Sequence, residues 1–157
     1  MGNKGTKEQR DVQKGFREGI KSLLTQREVA TFNKDSVTDG FHVDKSRLEQ
    51  ICDALEQDDG LKELHISKNK LDYKALRQLA KSLPFSKNLT TLDLSENQID
   101  DEGALYLAKV LPLCKNLASL DLSNNIIGDM GVRALENAKS PTLHINFVGN
   151  LARGSRE

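Results

Sequence analysis

The chain is predicted to be an α/β solenoid, with short parallel strands on its concave side and helices on its convex side. Three observations predict it. The phrase Leu-x-x-Leu-x-Leu-x-x-Asn begins at Leu89 and Leu117, and at Leu61 with Ile66 in the third apolar place, an interval of 28 residues each time. A fixed period of this size marks a stack of supersecondary units, each too small to bury its apolar face alone. Between phrases, Asp72 and Asp100 stand where helices would start, and Pro84 and Pro112 where they would stop. The hydrophobic fraction is 37%, low for a compact globule but suited to a stack with a thin continuous core.

Composition narrows the function classes. The 157 residues suit one domain, and Lys+Arg and Asp+Glu both number 23. A balanced charge argues against broad electrostatic binding of nucleic acid. With no Trp, two Tyr and five Phe, there is little stock for an aromatic hot spot. The two cysteines, Cys52 and Cys114, fall in different units. Two distant thiols make no disulfide framework and point to a reducing, cytoplasmic setting. No signal-peptide or membrane-spanning apolar run occurs, so the Asn88-Leu-Thr90 sequon is not expected to be glycosylated.

Residues 1–28 are predicted to form an N-terminal amphipathic helix. Val12, Phe16, Ile20, Leu23 and Leu24 repeat at helical spacing. Gly15 and Gly19 each weaken such a helix by about 1 kcal/mol against Ala. Met1-Gly2 with Thr6 and Lys7 matches the N-myristoylation pattern, so Gly2 is a candidate lipidation site. The same Thr6-Lys-Glu-Gln9 also reads as a capping box. Seven cations and four anions give the segment a net +3. A basic helix beside an acyl chain would hold a membrane surface. The interleaved acids favour the other role, a cap over the first repeat.

Residues 29–60 read as a degenerate first repeat. Val29 to Phe32 has strand character, and Asn33 to Gly40 has turn chemistry. Ser46-Arg-Leu-Glu49 is a capping box opening a helix, with Leu48, Ile51, Cys52 and Leu55 on one face. One period later these positions are Leu76, Leu79, Ala80 and Leu83. Cys52 thus fills a slot for a small buried side chain. Asp35 to Gly40 superficially suggests a calcium loop, but Val37 and Ser46 occupy ligand positions that require oxygen donors or a carboxylate.

Residues 61–151 carry the repeats. In each Leu-x-Leu the leucines point inward and the residue between points out. Asn69, Asn97 and Asn125 follow, where a sharp turn buries backbone groups that an amide can satisfy. Leu76, Leu79, Ala80 and Leu83, then Ala104, Leu107, Ala108 and Leu111, then Gly131, Val132, Leu135 and Ala138 form the inward helix faces. Gly103 and Gly131 are expected where helix and strand come close. A fourth copy runs from Thr142 through Ile145, Phe147 and Asn150. Its first place, Thr142, is 25 residues after Leu117, so the preceding helix or loop has lost three residues. After it, residues 152–157 are a polar tail. The last strand would be an open edge. A chain fragment, a dimer through that edge or a covering partner would each account for it.

These repeats resemble the leucine-rich repeat family. Their 28-residue length and the places of Gly103 and Gly131 are similar to its ribonuclease-inhibitor-like subclass. The resemblance spans about residues 33–151. It implies a non-enzymatic module that docks a partner protein on its concave face.

Strand alternation supplies the candidate binding residues: Glu63, His65, Lys68, Asp93, Glu96, Ser119, Asp121 and Asn124. They fall into columns along the stack. His65, Asp93, Asp121 and Asn146 form the central one. Glu63, Thr91, Ser119 and His144 flank it, then Ser67, Ser95 and Ser123, then Lys68, Glu96 and Asn124. Asp93 and Asp121 would stand about 4.8 Å apart and repel. An open sheet without pocket-forming loops argues against acid–base catalysis there. No metal-ligand spacing, phosphate loop or nucleophile elbow occurs, so no cofactor or metal is expected. The alternative reading is an N-myristoylated membrane-tethered adaptor or host-directed bacterial effector. A GTPase regulator is a weaker analogy, since such members of the repeat class are much longer.

Overall fold

The computed structural model describes residues 29–31, 43, 45–57 and 60–151. The Gly2 motif, the N-terminal helix, the Asn33–Gly40 turn and the tail 152–157 lie outside the described residues. Five parallel strands form one sheet in sequence order: β1 (Val29–Thr31), β2 (Glu63–His65), β3 (Thr91–Asp93), β4 (Ser119–Asp121) and β5 (His144–Asn146). Four helices return the chain between them: α1 (Lys45–Gln57), α2 (Tyr73–Ser82), α3 (Asp101–Val110) and α4 (Asp129–Ala138). This is the expected α/β solenoid, with one more strand than helix because Val29–Thr31 pairs with β2. No described helix is long and apolar enough to cross a membrane.

The repeat period becomes a packing period. Leu64, Leu92, Leu120 and Ile145 stand side by side in the sheet register, all buried. Leu76, Leu79, Ala104, Leu107 and Leu135 of the helices close over them with no exposure beyond rounding. Each such leucine contributes about 1.5–3 kcal/mol of transfer free energy. The resulting core is continuous from Val43 to Ile145. Cys52 is buried among these side chains, as its alignment with Ala80 predicts.

The asparagines tie successive turns together. Asn97 Oδ1 accepts from Asn69 N and Leu71 N at 2.9 and 3.0 Å, and its Nδ2 donates to Ile66 O and Leu94 O at 2.9 and 3.0 Å. Asn69, Asn125 and Asn150 repeat the pattern, each bonding to a backbone amide about one period earlier. These are backbone groups that no strand or helix satisfies, so the amide side chain removes a cost of burial.

Helix starts follow the sequence in two cases out of three. Asp72 Oδ1 accepts from Ala75 N at 3.0 Å and Asp100 Oδ1 from Gly103 N at 2.9 Å. The last helix, α4, has Gly128 at its cap position, with no side chain to offer. Asp101, from the repeat before, substitutes: its Oδ1 accepts from Gly128 N at 2.8 Å.

As expected, the α-helices end just before Pro84 and Pro112, at Ser82 and Val110; each proline then lies in a 3-10 turn, Leu83–Phe85 or Leu111–Leu113, where it needs no amide partner. Three expectations need correction. The first helix already includes Lys45, so Ser46 sits in its first turn and does not cap it. Thr142 is exposed, and Leu143, 26 residues after Leu117, fills the buried first-leucine place instead. Thus α4 has no following 3-10 turn, and the rest of the shortening falls between Leu143 and β5. Finally, the crowding at Gly103 and Gly131 comes from loop isoleucines and the preceding helix, not from a strand.

Candidate functional site

The strand register aligns the expected columns. Glu63, Thr91, Ser119 and His144 are partners across the sheet, as are His65, Asp93, Asp121 and Asn146. Strand alternation alone turns them outward, since each intervening residue is buried in the core. The side chains remain partly accessible: 27% for His65 and 23% for Asp93, against 43% for Glu63.

The central column divides into two hydrogen-bonded pairs, His65 with Asp93 and Asp121 with Asn146. His65 lies between two carboxylates, with Nε2 3.2 Å from Glu63 Oε2 and Nδ1 3.4 Å from Asp93 Oδ2. Asp121 faces the other way, its Oδ2 accepting from Asn146 Nδ2 at 3.2 Å. The two aspartates therefore offer Oδ2 to different neighbours. Their second oxygens are engaged locally. Asp93 Oδ1 accepts from Ser95 N at 2.9 Å and Ser95 Oγ at 2.7 Å, and Asp121 Oδ1 accepts from Ser123 N at 2.8 Å. An aspartate two residues before an amide forms this turn readily. Asn146 does the same for Val148 N at 3.1 Å.

The serine column fails as an exposed surface. Ser67 and Ser123 are buried, and Ser95 is spent on Asp93. The next column does reach solvent. Lys68, Glu96 and Asn124 have φ of 59°, 52° and 54°, a left-handed conformation that turns each side chain outward at the end of its strand. Gly149 takes the corresponding place after β5 with φ 78°. Lys68 Nζ lies 3.8 Å from Glu96 Oε1, both side chains more than 40% exposed. Such a pair adds little stability and leaves both charges accessible.

The geometry thus sorts the eight candidates. Glu63, His65 and Asp93 form one cluster, and Lys68 and Glu96 form another. Asp121 joins Asn146, which sequence reasoning had only placed in its column. Ser119 and Asn124 make no side-chain hydrogen bond among the described residues. Four carboxylates face one lysine across these positions, so the face is acidic. No group of three or more metal-ligating side chains occurs among the described residues.

A family model described as Leucine Rich repeats (2 copies) matches residues 87–137. The solved structure titled Leiomodin-1 Actin-Binding Site 2 (ABS2) superposes with a TM-score of 0.70. That alignment covers 87% of this chain and 76% of the other, at 19% sequence identity. This is a leucine-rich repeat fold. No curated protein sequence matches the chain. Within the leucine-rich repeat array, the residues that define the repeat are the buried leucines and the asparagine ladder. The candidate face lies wholly in the positions between them.

Proposed function

We propose that the chain is a non-enzymatic protein-binding module of the ribonuclease-inhibitor-like subclass. Its concave strand face docks a partner that presents a basic surface. One observation carries this reading: Glu63, Asp93, Glu96 and Asp121 lie on one open, in-register face whose backbone is already satisfied. Such a face is rigid before binding, so a partner meets prepositioned charge at a small ordering cost. An open sheet whose Asp93 and Asp121 are engaged by turn amides offers no enclosed place for a reacting atom. Leiomodin-1 carries an actin-binding site on the same fold, which makes actin the first partner to test.

The test must avoid residues that hold the scaffold. Arginine at Asp93 or Asp121 would remove a turn acceptor along with the charge. Glu63→Arg with Glu96→Arg reverses the face and spares those turns. Co-sedimentation with filamentous actin, together with capture from eukaryotic lysate, should detect a partner for the wild type and lose it in this variant. Retained capture by a variant of unchanged helix content would move the binding surface elsewhere.

A further inference from the structure

Away from the strand face, a groove of about 770 Å³ lies where α1, the loop after β2 and the start of α2 meet. Its floor includes Val43, Leu48 and Leu71, all buried apolar side chains. Its rim includes Lys45, Lys70, Lys74 and Arg77, all exposed. Asp72 is the single acid among the described lining residues, and its Oδ1 is engaged by Ala75 N. Among the described residues none of the four cations pairs with a carboxylate. Lys74 and Arg77 instead lie over the rings of Tyr73 and Tyr106, 5.8 and 5.7 Å from the centroids.

The groove opens because one rung of the loop ladder is missing. In the later loops an amide reaches the carbonyl of the loop before it: Gln98 N to Leu71 O at 3.0 Å, Ile126 N to Ile99 O at 2.9 Å, and Leu151 N to Ile127 O at 3.0 Å. The corresponding pair is Lys70 N and Val43 O, and no such bond forms between them. Lys70 has φ 56°, unlike Gln98 and Ile126 at the same place in the repeat. A left-handed lysine costs about 1 kcal/mol. The loops are still joined through Val43 N and Asn69 Oδ1 at 2.9 Å, but among the described residues no backbone bond between Lys70 N and Val43 O closes the mouth of this cationic, apolar-floored groove.

We infer that this groove docks an extended acidic peptide segment of a partner protein, with an apolar side chain seated between Val43, Leu48 and Leu71. The Lys70 amide and the Val43 carbonyl suit the backbone of such a segment, as an exposed sheet edge does. Lys70 lines the groove from the loop and Lys74 and Arg77 line it from α2; they would meet carboxylates of the segment, Arg77 with two parallel N–H donors. A basic or neutral segment would leave four like charges facing each other across a narrow space. The site is separate from the strand face, so the two readings fail independently.

The experiment is fluorescence anisotropy of a labelled peptide, three repeats of Asp-Glu-Leu, titrated with the 157-residue chain. Saturable binding is expected, weakened at least about tenfold by raising salt from about 0.05 to about 0.5 M. Lys70→Glu with Arg77→Glu should weaken it at least about tenfold. Glu63→Arg on the strand face should leave it unchanged, and a Lys-Lys-Leu peptide should not bind. If the charge-reversed variant loses its helical circular dichroism, Lys70→Gln with Arg77→Gln takes its place and should also lose affinity. No binding by the wild type, undiminished binding by the folded variant, or equal displacement by a single-stranded oligonucleotide of matched charge overturns the inference.

Discussion

Gly131 lies beneath the Asp101 carboxylate of the preceding repeat, whose Oδ1 accepts its amide at 2.8 Å. A Cβ on Gly131 would stand 2.6 Å from that oxygen and 2.6 Å from Ile127 Cγ2. In an isolated helix, Gly→Ala gains about 1 kcal/mol. Here the sign reverses, because the bond that caps α4 occupies the space. Gly131→Ala should cost about 1–3 kcal/mol, and Asp101→Ala about 1 kcal/mol through the lost cap. Urea unfolding monitored by circular dichroism reads both. A stabilised Gly131→Ala protein would contradict the packing.

The asparagine ladder sets a second expectation. Asn97→Ala strips partners from the buried amides of Asn69 and Leu71 and from the carbonyls of Ile66 and Leu94. Each stranded group costs about 1–3 kcal/mol, so the variant should lose at least about 3 kcal/mol. Gln98→Ala, one residue after a ladder asparagine but exposed and free of left-handed backbone, should stay within about 0.5 kcal/mol. Similar losses for the two would deny the ladder its role.

Charge exchange at the end of the strand face separates scaffold from surface. Lys68 and Glu96 share the left-handed conformation, so Lys68→Glu with Glu96→Lys keeps the pair and the backbone demand. Stability should change by less than about 1 kcal/mol. Partner capture should fall if these positions read charge. A large drop in the midpoint of thermal unfolding would show them to be structural.

The thiols give a pH dependence. Burial pushes Cys52 up to about 11, against a smaller opposing effect of the Ser82 hydrogen bond, and burial also pushes Cys114 up to about 11. The ordinary value is 9.0, so the folded chain holds these protons more tightly than the unfolded one. The stability this contributes is fully present below about pH 9 and is lost as pH rises through about 11. Comparing wild type with Cys52→Ala, the difference in unfolding free energy should shrink by about 2 kcal/mol between pH values of about 8 and about 11. A difference independent of pH would place the Cys52 thiol in water.

The scaffold was legible in the sequence because its signals repeat. Leu64, Leu92 and Leu120 occur at one interval, and the asparagines keep step with them, so each copy corroborates the next. Asp72 and Asp100 were readable as caps for the same reason. Asp101 was not, because it caps a helix in another repeat, and the only trace was a glycine where an aspartate stood before. Leu143 was missed where the period itself changes. Alternation placed the exposed columns but not their hydrogen bonds, so the engagement of Asp93 and Asp121 by Ser95 and Ser123 came only with the structure. Lys70, Lys74 and Arg77 carried no motif or period that marked them as one rim. What could not be read was the missing rung at Lys70 that opens space between them.

The asparagine bonds have a direction. Asn69 serves Val43, Asn97 serves Asn69 and Leu71, Asn125 serves Ile99, and Asn150 serves Ile127. Each turn is completed by a side chain that comes later in the chain. During synthesis, a repeat that has left the ribosome therefore still lacks its last acceptor. It closes only when the next asparagine emerges, so maturation trails translation by one repeat along the array.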